Sequence, residues 1–132
     1  MDHPRTTEWT TKLKTLFDEV DDFLEEKYGR LYPLHPSRPG RGRTANKEQD
    51  GLFNVAARFT PGYGSTEGRG YVIDVDMVTL SRVPEDVQKK IEKDVVKYVE
   101  RKLPEVFPDR TLKVTKDGPV FKIHGDLSLG QL

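Results

Sequence analysis

The chain has 132 residues, 34% of them hydrophobic and 33% charged, and its 22 basic and 22 acidic side chains leave no net charge. This composition predicts a single globular domain over residues 1–132 and argues against a disordered chain or a dedicated nucleic-acid-binding domain. The lack of cysteine excludes disulfide scaffolds, thiolate metal sites and cysteine nucleophiles. No apolar run approaches the ~20 residues of a membrane span, so we expect a soluble, cytoplasmic protein that does not bind membranes.

The first predicted element is an amphipathic helix that ends near Tyr28. Thr6 or Thr7 can cap its N-terminus, and Gly29 can end it. Its acidic character is marked, because residues 6–26 hold seven acids and only two lysines. Apolar residues recur along it at spacings of three and four: Trp9, Leu13, Leu16, Phe17, Val20, Leu24 and Tyr28.

A basic segment follows this acidic helix. Prolines and glycines interrupt any periodic pattern there, which predicts a long, mobile loop rich in arginine, glycine and proline over residues 31–51. Between Tyr28 and Lys47 the chain has no acid and five cationic residues: Arg30, Arg38, Arg41, Arg43 and Lys47. Two interpretations are open. The loop can bind an anionic partner, or it can fold back onto Asp18, Asp21, Asp22 and Glu25 of the helix.

Two hairpins and a second helix account for the rest of the chain. Alternating apolar residues predict strands over 53–59 and 71–77, joined by the glycine-rich hairpin loop 61–70. A second helix is expected to begin at Pro84 and to stop before Pro104. The final hairpin turns at Asp117 and Gly118, and Leu127 and Leu129 can extend its last strand.

The order of elements is therefore αββαββ. Two helices with one apolar stripe each and four strands with one apolar face each predict an α+β two-layer sandwich. Both helices are expected on one face of a four-stranded, mainly antiparallel sheet. The predicted core joins Trp9, Leu13, Phe17, Val20, Leu24, Val87, Ile91, Val95 and Val99 of the helices to Phe53, Val55, Phe59, Ile73, Val75, Val114, Phe121 and Ile123 of the strands.

The opposite face of the sheet carries the residues for one possible metal site. Asp74 and Asp76 alternate on one strand and so point to the same side. Together with His124 they could hold a divalent cation, which makes a metal-dependent hydrolase an alternative function. The favoured interpretation is a solvated ladder of ion pairs, because Arg58 and Lys122 fall on the same face and can neutralise both acids. We expect no cofactor.

The basic loop is the favoured contact surface. Its residues 36–41 also match the PxxPxR pattern of polyproline-II ligands, although such short patterns arise often by chance. We interpret the protein as a non-catalytic binding or interaction module for a protein partner or a second copy, with nucleic-acid binding as an alternative. Two loops, 31–51 and 61–70, supply the predicted partner- or anion-binding residues: Arg38, Arg41, Arg43, Tyr63 and Arg69.

Overall fold

The computed structural model describes residues 4–44, 50–62 and 68–125. Two helices and four strands lie in these ranges. In chain order they are α1 (Pro4–Tyr28), β1 (Phe53–Thr60), β2 (Gly70–Met77), α2 (Glu85–Val106), β3 (Leu112–Asp117) and β4 (Val120–Gly125).

The four strands form one antiparallel sheet in the order β1-β2-β4-β3. Helix α1 packs on β1 and against α2, and α2 packs on β3, so both helices cover the same face. The predicted α+β sandwich with αββαββ order is confirmed. We call the two ends of the sheet the Phe53 end, where the β3–β4 turn also lies, and the Thr60 end, where β2 begins at Gly70.

Helix α1 begins at Pro4, two residues before the first of the two predicted caps. Proline suits this position because the first helical turn needs no N–H donor there. The predicted apolar stripe is buried, with Val20 and Leu24 fully inaccessible to solvent. The amide of Gly29 donates to the carbonyl of Glu25 and completes the last turn.

Helix α2 continues through Pro104 to Val106, so the predicted stop before this proline was wrong. A proline one turn from the end removes a single backbone hydrogen bond, the one to the carbonyl of Glu100. Glu100 is exposed, and its carbonyl can bond to water instead. At the other end the carbonyl of Pro84 accepts hydrogen bonds from the amides of Val87 and Gln88.

The predicted core residues pack between the helices and the sheet, although four of them are only partly buried: Val75, Val87, Val114 and Phe121. Phe59 is the exception. Its side chain is 54% exposed, so its predicted burial was wrong. Phe59 does lie on the helix-facing side of β1, but it is next to the end of an edge strand, and its ring packs edge-on against Tyr71 at 5.5 Å. Two residues outside the predicted core are also buried in it: Leu52, which precedes β1, and Phe107, which follows α2.

Candidate functional site

The connection between α1 and β1 is far longer than its counterpart between α2 and β3. It spans 24 residues (29–52), whereas residues 107–111 make the second connection with five. Its described part consists of turns. The backbone hydrogen bonds that hold it in place include those from His35 to the carbonyl of Val78, from Val78 to the carbonyl of Leu52 and from Gly51 to the carbonyl of Pro39.

Arg38 fastens the basic loop to the start of β1. Its guanidinium donates to the backbone carbonyls of Asp50, Gly51 and Phe53 at 3.0–3.1 Å. A planar group with five donors in fixed directions suits such a set of carbonyls, which would otherwise lack partners at an edge strand. Arg38 therefore stabilises the path of the loop by contacts within the chain.

Arg41 lies among three aspartates. Its Nη1 atom is 3.2 Å from an oxygen of Asp21 and 3.0 Å from one of Asp50, and its Nη2 atom is 2.6 Å from Asp22. The Arg41 side chain keeps 27% of its surface exposed, while that of Asp21 has none. The geometry thus favours the interpretation in which the loop folds back onto the acidic helix. We call these four residues and Glu25 the charge cluster.

Asp50 is the best-satisfied acid of the charge cluster. It is 1% exposed and accepts hydrogen bonds from the amides of Gly42 and Thr44, the Thr44 hydroxyl and Arg41. Burial disfavours its ionised form, but the two amides and the Arg41 charge outweigh burial and hold the pKa of Asp50 below its ordinary value. Asp50 is therefore the anionic centre around which the loop turns.

Asp21 is the least-satisfied acid of the charge cluster. Its two carboxylate oxygens are buried and have no hydrogen bond among the described residues, since the contact with Arg41 is an ion pair only. Burial raises the pKa of Asp21 to about 7, against the attraction of Arg41 and with added repulsion from the neighbouring acids. Asp21 is thus partly protonated near neutral pH.

Glu25 connects helix α1 to the end of the loop. It accepts a hydrogen bond from the amide of Phe53 at 2.8 Å, and burial raises the pKa of its carboxyl group. Its carboxylate lies directly against Gly51, where a Cβ atom would be 2.3 Å from Glu25 Oε1. Gly51 also has a φ of 73°, so both the space and the backbone conformation require glycine.

The raised pKa of Asp21 predicts a pH-dependent stability. An unfolded aspartate has a pKa near 4, so the folded protein binds the extra proton between about pH 4 and 7. Asp21 therefore favours folding most at low pH, and this contribution disappears as the pH rises through 7. From pH 5.5 to 8.5, we expect the wild type to lose about 1–2 kcal/mol more unfolding free energy than Asp21→Asn.

Urea unfolding of both proteins at several pH values measures this difference. Asp22→Asn is the matched control, because the side chain of Asp22 is 52% exposed yet contacts the same arginine. This control should follow the pH dependence of the wild type. Parallel curves for wild type and Asp21→Asn would contradict the assignment.

The remaining predicted contact residues do not gather at one place. Arg43 is exposed on the basic loop, whereas Arg69 is exposed at the Thr60 end of the sheet. The eight residues of β1 separate the two loops, and its first and last residues are about 23 Å apart. Tyr63 and Lys47 lie outside the described residues. The structure therefore does not bring Arg69 together with Arg38, Arg41 and Arg43.

The outer face of the sheet holds the acids of the alternative metal site. Arg58 pairs with Asp74 at 3.1 Å, as the ladder interpretation expected. Lys122 instead is buried, and it pairs with Asp117 and donates to the carbonyl of Gly68. His124 contacts the hydroxyl of Thr115 at 2.7 Å.

The strand register separates the three predicted metal ligands. Because Tyr71 opposes Ile123, His124 lies next to Gly70, four residues or about 13 Å from Asp74. Among the described residues no group of three or more acidic or histidine side chains has a metal-binding arrangement. Asp74, Asp76 and His124 therefore do not converge on one ion in this structure.

Sequence reasoning missed Asp50 as a member of the charge cluster. It identified Asp18, Asp21, Asp22 and Glu25 as possible partners of the loop, and of these Asp18 pairs with Lys14. The available signal was the Asp50-Gly51 dipeptide just before β1, because aspartate followed by glycine is typical of a turn whose carboxylate accepts backbone hydrogen bonds.

Comparison with known proteins places the chain in a family. A protein from Borreliella burgdorferi described as "Uncharacterized protein" is 43% identical over 107 residues, which are 81% of this chain and 84% of that protein. No solved structure matches the chain. Among the described residues, no helix has the length and apolar character needed to cross a membrane. A family model described as "Uncharacterised protein" matches residues 4–125, and the chain belongs to that family.

Proposed function

We propose that the protein is a non-catalytic binding module and that the outward face of its basic loop contacts a protein partner. The observation that carries this proposal is the length of the connection between α1 and β1. It has 24 residues, whereas five residues connect α2 to β3. Ordering a residue costs roughly 1–2 kcal/mol of conformational entropy, and joining a helix to a strand does not require this length. Arg38 and Arg41 nevertheless anchor it.

The side chains exposed on this loop indicate the chemistry of the partner. No acid occurs between residues 29 and 44, and the outward face combines two arginines with apolar groups. The exposed side chains of its described part are Arg30, Leu31, Pro33, Pro36, Ser37, Pro39 and Arg43. A protein surface with acidic side chains around an apolar centre complements this face in charge and polarity.

Two alternatives have less support from the geometry. The polyproline-type pattern requires a free arginine at position 41, but Arg41 is paired with Asp21, Asp22 and Asp50. Nucleic-acid binding would use several arginines on one surface. Arg38 and Arg41 both contact the chain itself, and Arg69 lies at the other end of the sheet. A protein is therefore the partner that we propose for this loop.

Site-specific photocrosslinking tests the proposal. A benzophenone amino acid replaces Leu31, whose side chain is 47% exposed, in the protein expressed in its native cells. After irradiation we expect a discrete protein adduct that mass spectrometry identifies. Arg30→Glu with Arg43→Glu should reduce its yield at least fivefold, because charge reversal turns attraction into repulsion.

Two controls make this result specific. The same crosslinker at Phe59, 54% exposed but at the other end of the sheet, should give no such adduct. Arg69→Glu with Lys113→Glu changes the net charge equally and should leave the Leu31 adduct unchanged. An adduct of twice the chain mass would identify the partner as a second copy. A nuclease-sensitive adduct, or none, would refute the proposal.

A further inference from the structure

The side of the two helices that faces away from the sheet carries two ridges of opposite charge. Spacings of three and four residues place exposed side chains of one sign in line along each helix. The acidic ridge on α1 consists of Glu19, Asp22 and Glu26. The basic ridge on α2 consists of Lys90, Lys93, Lys97 and Arg101. One face of a chain without net charge therefore has a negative side and a positive side.

Four of these charges have no ion-pair partner within the described part of the chain. Asp22 pairs with the basic loop, but the side chains of Glu19 and Glu26 form neither an ion pair nor a hydrogen bond there. The same holds for Lys93 and Lys97 of the basic ridge. Two unpaired acids and two unpaired lysines are therefore available to a second molecule.

A pair of aromatic rings lies where the two helices meet, between the ridges. Phe23 of α1 and Tyr98 of α2 stack with their centroids 5.0 Å apart, and both side chains are only partly buried. The guanidinium of Arg101 lies over the Tyr98 ring at 5.3 Å. An apolar centre surrounded by charged side chains is the usual arrangement of a protein–protein interface.

Contacts between the helices fix how the two ridges are aligned. Lys27 pairs with Asp94, and Phe23 stacks on Tyr98. Residue numbers on α2 therefore fall as those on α1 rise, so the two helices are antiparallel. Each step forward along α1 corresponds to one step back along α2, because both helices rise about 1.5 Å per residue.

The two ridges consequently lie at the same height along the helices. Glu26 is level with position 95, between Lys93 and Lys97, and Glu19 is level with position 102, next to Arg101. A two-fold axis that runs between the helices and parallel to them places α1 of each copy over α2 of the other at unchanged height. Each acidic ridge then meets the basic ridge of the other copy, and this contact occurs twice.

We propose that the protein forms a two-fold dimer through this face of its helices. Charge complementarity selects a second copy as the occupant. A nucleic acid fits less well, because the acidic ridge lies only about 8–10 Å from the basic one and repels phosphates. The dimer contacts do not include the outward face of the basic loop, so they do not depend on the partner proposed above.

The size of the face indicates a weak dimer. Helix α2, the shorter of the two, has 22 residues and is about 33 Å long, and two adjacent helices are about 20 Å wide. The face of roughly 650 Å² per copy is slightly smaller than the ~800 Å² that each partner of a standard interface buries. We therefore expect a reversible dimer that depends on concentration and salt.

Sedimentation equilibrium of the full chain tests the proposal, at concentrations of about 5–500 µM in about 50 mM salt. The mean mass should rise with concentration from that of one chain towards that of two. Raising the salt concentration to about 0.5 M should weaken the association at least threefold, because salt screens ion pairs between exposed side chains.

Charge reversal identifies the surface. Lys93→Glu with Lys97→Glu puts acids into the basic ridge, and Glu19→Lys with Glu26→Lys puts lysines into the acidic ridge. Each variant should lose at least tenfold in self-affinity, because like charges then meet across the axis. An equimolar mixture of both should associate as the wild type does, since each acidic helix again meets a basic one. All four side chains are exposed and unpaired, so both variants should fold.

Arg69→Glu with Lys113→Glu is the matched control. Both side chains are exposed and neither lies on a helix, and the substitutions change the net charge as much as reversal of Lys93 and Lys97 does. The control should dimerise as the wild type does. A wild type that stays monomeric, an equal loss in the control, or a mixture of the two reversed variants that stays monomeric would overturn the proposal.

Discussion

Replacing Arg41 with alanine should lower the free energy of unfolding by about 3 kcal/mol at pH 7.5. The substitution leaves the buried carboxylates of Asp21 and Asp50 without their cationic partner, and breaking a buried ion pair from one side typically costs 3–5 kcal/mol. The effect should decrease towards pH 5.5, where Asp21 is protonated and needs no counter-charge. Urea unfolding at both pH values measures it.

Two further variants separate the role of Arg41 from a general effect of removing charge. Arg43→Ala removes an exposed arginine two residues away and should change stability by less than about 0.5 kcal/mol. Arg41→Lys keeps the charge but cannot reach three aspartates with one planar group, so an intermediate loss is expected. Equal stability of Arg41→Ala and Arg43→Ala would contradict the anchoring of the loop.

Replacing Ile91 with alanine should cost about 2–5 kcal/mol, as large-to-small changes in a packed core do. Ile91 is 1% exposed within the core between the helices and the sheet. Phe59→Ala provides the contrast. Although its aromatic side chain is larger, more than half of it is in solvent, so its loss should cost about 1 kcal/mol or less. Chemical unfolding of both variants decides between these values.

The order of the two effects is the informative result. The sequence pattern places both residues in the predicted core, Phe59 through alternation along β1 and Ile91 through the helical period of α2, so the two losses should be equal. Their exposures differ by more than fifty percentage points, and the structure therefore predicts a clear difference. A loss at Phe59 as large as the loss at Ile91 would show that the Thr60 end of the sheet is covered in solution.

The fold could be predicted because helices and strands impose periods on the sequence. Apolar spacing located both helices and all four strands, and one apolar face per element left a single two-layer arrangement. Helix α2 ended later than predicted because a proline is tolerated in the last turn. Local patterns give the type of an element more reliably than its final residue.

Burial along a strand was harder to predict. Alternation assigns a residue to a face, but coverage of that face depends on where the helices lie. Phe59 is on the helix-facing side and exposed, while Lys122 is on the outer face and buried beside Asp117 and Gly68. Both differences arise from tertiary contacts that a periodic pattern does not contain.

The charge cluster was predictable only in outline. A basic loop next to an acidic helix indicated that the two could pair, and Asp21, Asp22 and Arg41 do so. Which arginine pairs with acids and which binds carbonyls depends on the path of the backbone. Arg38 contacts carbonyls because the loop turns back on itself at Gly51.

The anchored loop makes helix α1 dependent on a segment whose described residues form neither helix nor strand. If five residues connected α1 to β1, as five connect α2 to β3, Arg41 would be lost and Asp21 would have no cationic partner. Helix α1 could tolerate such a deletion only if its buried acid, Asp21, became neutral at the same time. We therefore expect a shortened loop to be stable only together with a compensating substitution at Asp21.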